Sequence, residues 1–163
     1  MTTAATLGPE HLAFVRGGVS IIVAARDGQN ETTVSRAVGC RVADDGRRIT
    51  VFLSAAQSGV LLADVRANGV IAVVFSQPTS HRAMQLKGTD AVIAPIEAGD
   101  PHLLAEYRQR MAAEVAPLGY SEAFVRAFLQ ASPGDLVAVA FTPSAAFVQT
   151  PGPNAGARLE ARS

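Results

Sequence analysis

This chain has no tryptophan, a single cysteine and no excess of charge of either sign. Its 163 residues carry 14 Lys plus Arg against 14 Asp plus Glu, a formal net charge of zero. That balance sets up no broad positive field for nucleic acid or an anionic membrane. It also leaves little charge repulsion to oppose self-association. With 7 Phe and 2 Tyr, a stacking platform for bases would have few members. Cys40 alone excludes an intrachain disulfide and a metal site built from several thiolates. Its place in an alternating apolar pattern reads as a packed strand residue rather than a reactive thiol. No run approaches the roughly 18 apolar residues of a membrane helix. The N-terminal MTTAATLGPEH lacks the basic head and apolar core of a signal peptide. The expectation is one cytoplasmic domain over residues 1–163.

Familiar catalytic signatures are missing too. There is no G-x-S-x-G elbow, no H-E-x-x-H helix and no glycine-rich phosphate loop of the dinucleotide or Walker type. His11, His81 and His102 have no spacing that suggests zinc. Asp44-Asp45 reads as turn chemistry rather than a catalytic pair.

What is present is a run of short strands with few helices. Residues 1–8 read as frayed, and Pro9 opens a short helix through Val15. Val19 to Ala25 is β-branched and ends in the turn Arg26-Asp27-Gly28-Gln29, so it predicts a strand. Thr33 to Val42 alternates and predicts a second, with Gly39 as a bulge or a close approach. Asp44-Asp45-Gly46-Arg47 is the clearest hairpin turn, with Ile49 to Leu53 returning. Ala55 to Asn68 predicts a helix capped by Ser54 and stopped at Asn68-Gly69. Val70 to Phe75 follows, then a long strand from Met84 to Ile93, kinked or bulged at Gly88. Two helices come next. The first lies within Ala98 to Pro117, capped by Asp100, with Leu103, Leu104, Tyr107 and Met111 inward. The second is capped by Ser121, with Phe124, Val125 and Phe128 on one face. Leu136 to Phe141 is the last strand, with a continuation toward Val148. The one strand-helix-strand unit, at 49–75, is not repeated, so a doubly wound sheet is disfavoured. The pattern predicts a mostly β fold with flanking helices, an antiparallel barrel with one or two helices outside it.

Three segments carry candidate chemistry. The segment VIAVVFSQPTSHRAMQLKG, residues 70–88, reads as a buried strand, a turn and a strand whose wet face carries His81, Arg82, Gln85 and Lys87. Arg82 and Lys87 suit a phosphate, and Gln85 suits a heterocycle. Ser35-Arg36 lies on a strand with one core face, so Arg36 projects away from the core. It suits a phosphate or a carbonyl of a heterocycle, or is a solvated arginine. Ser54, Gln57 and Ser58 stand at a strand-to-helix junction, where free N–H groups and the helix dipole favour an anion; the plainer reading is capping. The loop PSAAFVQTPGPNAGARL, residues 143–159, has glycines that permit close approach to a ring system. It reads as a cover over a cofactor or a partner, or as an ordinary extension.

These residues carry a family resemblance. Residues 16–95 resemble the flavin-binding core of the pyridoxamine 5'-phosphate oxidase-like split barrels. The stretches VVFSQPTSHRAMQLKG and FTPSAAFVQTPGP resemble the small bacterial flavin-nucleotide-binding members of that group. The resemblance implies an FMN-binding split β-barrel. It further implies a homodimer with FMN at the subunit interface. Ser35, Arg36, Ala37 and Val38 would lie along the flavin ring and ribityl chain. Ser54, Gln57 and Ser58 would approach the phosphate or ribityl chain, with Gln85 near the flavin and Arg82 as a phosphate ligand. His81 and Lys87 complete the implied set. Its activity would be that of an FMN-dependent oxidoreductase moving a hydride through flavin N5, with NAD(P)H as a candidate donor. The alternatives are a non-catalytic flavin, deazaflavin or haem module, and a structural dimer without a cofactor. The basic residues that would serve vitamin B6 oxidation are missing: residues 58–62 carry no positive side chain.

Overall fold

Antiparallel pairing organises the chain into two sheets. The computed structural model describes Ala5 and residues 7–159. The expected fraying of residues 1–8 lies partly outside them. Where it does not, the chain is tied down: the Ala5 N–H donates to the Pro143 carbonyl at 2.7 Å, and Leu7 packs against the core. Helix α1 (Pro9–Val15) follows, with proline in its first turn.

Among the described residues, nine strands carry the barrel. They are β1 (Ser20–Arg26), β2 (Thr32–Arg36), β3 (Gly39–Val42), β4 (Ile49–Ser54), β5 (Ile71–Ser76), β6 (Ala83–Gly88), β7 (Val92–Ala94), β8 (Leu136–Phe141) and β9 (Ala145–Val148). The helices are α2 (Ala55–Asn68), α3 (Asp100–Val115) and α4 (Glu122–Phe128). One sheet has the order β2-β1-β5-β6-β9 and the other β3-β4-β8-β7. Every pairing between named strands is antiparallel. Helix α2 leads from a strand of one sheet to a strand of the other, so the 49–75 unit is not a parallel crossover.

Two expected long strands are each split between the sheets. In the stretch from Thr33 to Val42, the Ala37 N–H bonds the Ile21 carbonyl in one sheet, and the Val38 N–H bonds the Phe52 carbonyl in the other. Gly39 makes the switch, at φ +154° against Leu104 and Tyr107. From Met84 to Ile93, β6 ends at Gly88, packed on Phe141, and β7 restarts in the second sheet. The continuation past Pro143 is likewise a separate strand, β9, in the first sheet. Alternation along the sequence shows which faces are buried; it does not show which neighbour a strand bonds.

The core lies between the sheets. Phe75 and Phe141 are fully buried there, with Ile21, Ile49, Leu53 and Leu86; Phe52, on the opposite face of β4, is fully buried in a second cluster with Val38, Leu104 and Ala138. Each such side chain contributes about 1.5–3 kcal/mol of burial. Cys40 packs between the sheets, its thiol against the Val15 carbonyl at 3.4 Å. Tyr107 is buried and donates its hydroxyl to the Val19 carbonyl at 2.7 Å, fixing α3 to the barrel. Asp100 does not cap α3 through its side chain. Its carboxylate instead takes both bonds from Arg41, at 2.6 and 2.7 Å, and accepts the Glu97 N–H. The expected apolar face of α4 divides: Val125 is buried, whereas Phe124 and Phe128 are nearly half exposed. Leu103, expected inward on α3, is only partly buried.

Among the described residues, no helix is long and apolar enough to cross a membrane.

Candidate functional site

The outer face of the five-stranded sheet is built by the period of two along each strand. Residues 21, 23 and 25 of β1 point into the core, so Ser20, Ile22, Ala24 and Arg26 point out. Register then fixes the neighbours. Ile22 stands opposite Arg36 on one side and Val74 on the other; Val74 stands opposite Gln85, and Gln85 opposite Phe147. A backbone bridge places Arg158 opposite Phe147. One row therefore reads Arg36, Ile22, Val74, Gln85, Phe147, Arg158. The adjacent rows read Val34, Ala24, Ala72, Lys87, Ala145 and Ser20, Ser76, Ala83.

This face carries Arg26, Arg36, Lys87 and Arg158, and none of its named positions is acidic. In a chain of zero formal charge, that is a local concentration of one sign. Ala24, Ala72, Ala83, Ser20 and Ser76 keep its relief low, so a flat molecule can approach the backbone.

Arg36 is oriented by neutral groups. It donates to the Ser20 hydroxyl at 2.6 Å, and its guanidinium lies 4.4 Å from the centre of the Phe128 ring. Phe128 ends a ladder with Phe124 and Tyr120, at centroid spacings of 5.4 and 5.0 Å. No carboxylate pairs with Arg36 among the described residues. Its remaining N–H donors stay available to a ligand.

The other expected residues divide into those on this face and those elsewhere. Gln85 and Lys87 are on it. The Gln85 amide oxygen accepts from Gln149 at 3.4 Å, and the Lys87 ammonium lies 5.2 Å from the Phe147 ring centre. His81 and Arg82 are not on the strand: β6 starts at Ala83, and His81 sits in the preceding turn at φ +60°. Arg82 turns toward α1, 4.5 Å over the Phe14 ring. Glu114 clamps this turn by accepting from Gln77 and Thr79.

Ser35 faces away from Arg36, as strand neighbours must. Its hydroxyl meets that of Ser58 at 2.6 Å and ties β2 to α2. Ser58 is buried at a kink in α2, with φ −120°. A cleft of about 450 Å³ runs here between Thr33, Val34, Gln57, Ser58 and Val60. Val34 and Val60 are 68 % and 66 % exposed at its edge. Ala37 and Val38 are buried core residues with both N–H groups bonded within the sheets.

The start of α2 already holds an anion. Asp135 accepts from the Ser54 hydroxyl and, at 2.8 Å, from the Ala56 N–H. The Ser54 bond, then the backbone bonds, hold its carboxyl below the usual 3.8. A ligand phosphate here would face this carboxylate, with no basic side chain between residues 55 and 60. The junction therefore does not fit a phosphate. The expected convergence of Arg36, the Ser54 helix start and Arg82 on one anion does not occur within this chain. Each is engaged in a different place, because strand phase, the Asp135 cap and the turn at His81 send them apart.

Reading the sequence missed Asp135, Phe128, Arg26 and Arg158. Asp135 lies about 80 residues from its helix, and no local signal joins them. Arg158 had one available sign: the turn-rich Pro151–Gly156 stretch could return the chain to β9.

No family model and no curated protein matches this chain. Solved structures do. A protein assigned as a pyridoxamine 5'-phosphate oxidase from Lactobacillus delbrueckii aligns at 13 % identity over 86 % of this chain and 93 % of that one, with a TM-score of 0.53. An F420 reductase aligns at 15 % identity over 86 % of this chain and 98 % of its own, with a TM-score of 0.54. The haem storage protein HutZ of Vibrio cholerae aligns at 15 % identity over 87 % and 94 %, with a TM-score of 0.50. The chain thus has the split-barrel fold of the pyridoxamine 5'-phosphate oxidase-like proteins.

Proposed function

We propose that this chain binds FMN on the outer face of its five-stranded sheet, in a cleft completed by a second copy, and works as an FMN-dependent oxidoreductase. The observation that carries the reading is the acid-free, cationic, low-relief face with Arg36 at its edge. A flavin is flat, mostly apolar and, as FMN, anionic at one end, so it complements such a face. Fold likeness adds support, since similar structures include a reductase and a protein assigned as an oxidase.

Arg36 is the residue that fits the anionic part of the cofactor. It is pre-oriented by Ser20 and Phe128, so little side-chain entropy is lost when it binds. Gln85 lies three strand spacings away, about 14 Å, and offers both a donor and an acceptor to a heterocycle. Bound FMN would supply hydride chemistry at flavin N5. The protein's task is then to orient the ring, stabilise negative charge on it and exclude water. A second copy would supply the missing cover. Ile22, Val74 and Phe147 are only partly buried on this face, and the zero net charge offers little resistance to pairing.

A visible spectrum and an FMN titration test this reading. Flavin bands and saturable FMN binding support it, with NAD(P)H turnover separating an enzyme from a carrier. A Soret band points to a haem module. A colourless protein that ignores FMN ends the proposal.

A further inference from the structure

Helix α4 has two different sides. Phe124 and Phe128 stack on one another, with Phe128 over Arg36. Glu122, Ala123, Arg126 and Ala127 recur at helical spacing on another side, and they border a trough of about 760 Å³ between α3 and α4. From α3 come Ala105, Arg108 and Gln109, which share one face by the same spacing. Packing holds α4 in place. Ser121 caps it by accepting the Phe124 N–H at 3.1 Å, and Val125 and Leu129 are buried.

The lining combines small apolar side chains with basic ones. Ala105, Ala123 and Ala127 leave room for a slender apolar body. Arg108 and Arg126 supply guanidinium donors against one carboxylate, that of Glu122. Glu122 accepts from Arg126 at 2.7 Å, in a pair whose side chains are 72 % and 70 % exposed. Such a pair contributes little, and it leaves further Arg126 N–H groups for a ligand. No carboxylate pairs with Arg108 among the described residues. The trough thus carries net positive charge in a chain whose formal net charge is zero. Its volume falls within the range of small-molecule sites, about 300–1,000 Å³. Its ten lining residues are too few for a stable protein interface, which takes about 20–30 a side.

We infer that the trough between α3 and α4 is a binding site for a small organic anion, a carboxylate on a short aliphatic tail. The Arg108 guanidinium, with that of Arg126, takes the carboxylate. The alanine side chains receive the tail, and the Gln109 and Gln130 amides border the site. None of the lining residues belongs to the set proposed for FMN, so this site is independent of the cofactor face.

Octanoate is the probe, with acetate as the control without a tail and octan-1-ol as the control without a charge. Binding to the full chain, with FMN absent, is followed by NMR shifts of the Arg108 side-chain N–H and of the Ala123 and Ala127 methyl groups. Saturable octanoate shifts at these groups are expected, with either control binding at least about 10-fold more weakly. Arg108→Gln should bind octanoate about 10-fold more weakly than wild type. Ala123→Leu, which fills the trough, should abolish the binding. Both variants should melt as wild type does. No saturable octanoate shifts in wild type overturn the inference, as does equal binding of acetate or of octan-1-ol. Equal octanoate binding by Arg108→Gln, or by Ala123→Leu at an unchanged melting temperature, overturns it too. Where a variant melts lower, the two controls on wild type decide.

Discussion

The Asp135 carboxylate caps helix α2 from a segment about 80 residues away, accepting the Ala56 N–H at 2.8 Å and the Ser54 hydroxyl beside it. It satisfies N–H groups that a helix start leaves unpaired, and it places negative charge at the positive end of the dipole. Asp135→Ala should therefore lower the melting temperature at neutral pH. Asp135→Asn should fall between the two. The carboxyl has a lower pKa in the fold than in the unfolded chain, so its contribution is fully present above 3.8 and fades as pH drops through the folded value. Thermal melts from pH 7 to pH 2 should show the gap between wild type and Asp135→Asn closing only in that acid range. A gap that does not change with pH would remove the carboxylate from the account.

Gly39 stands where the chain changes sheets. An added Cβ would meet Leu104 Cδ2 at 2.4 Å, and φ is +154°. Gly39→Ala should cost about 1–3 kcal/mol from backbone strain, read as a lower urea midpoint at unchanged slope. A variant as stable as wild type would mean that the switch needs no glycine.

Cys40 should be inert. Burial pushes its thiol up to about 12, only partly offset by Arg110 and Arg16. A thiol reagent at pH 8 should leave the native protein unlabelled and react once denaturant unfolds it. Rapid labelling of the folded protein would contradict the packing.

Phe128 should matter through Arg36. The ring lies 4.4 Å from the guanidinium carbon, and such contacts contribute about 0.5–1 kcal/mol at exposed sites. Phe128→Ala should weaken FMN binding about two- to five-fold, while Phe128→Tyr, which keeps the ring, should restore it. Equal loss in both variants would indicate a packing defect rather than a positioning role.

Local signals carried much of the fold. Helix α2 runs from Ala55 to Asn68 as its caps predict: Ser54 accepts the Gln57 N–H, and Gly69 takes the left-handed conformation. The β1 strand and the Asp44–Arg47 turn were equally readable, because β-branched runs and turn chemistry lie within a few residues. Gly39 and Gly88 were visible as interruptions, but their consequence was not. Changing sheets depends on Ile21, Phe52 and Phe141, which come from distant parts of the chain. The site followed the same division. Strand phase placed Arg36, Gln85 and Lys87 on outward strand positions, and in the structure they share one face. Arg82 and His81 were assigned to a strand that starts one residue after Arg82. Ser54 was assigned to a ligand because Asp135, its partner, is invisible to any local reading.

On the proposed reading, Arg36 holds an anionic flavin on the outer sheet face. Fluorescence titration of FMN into wild type and Arg36→Gln tests it most directly. A charge-assisted hydrogen bond is worth about 1.5–3 kcal/mol, so the variant should bind FMN about 10- to 100-fold more weakly at an unchanged melting temperature. Equal FMN affinity in both proteins would contradict the account.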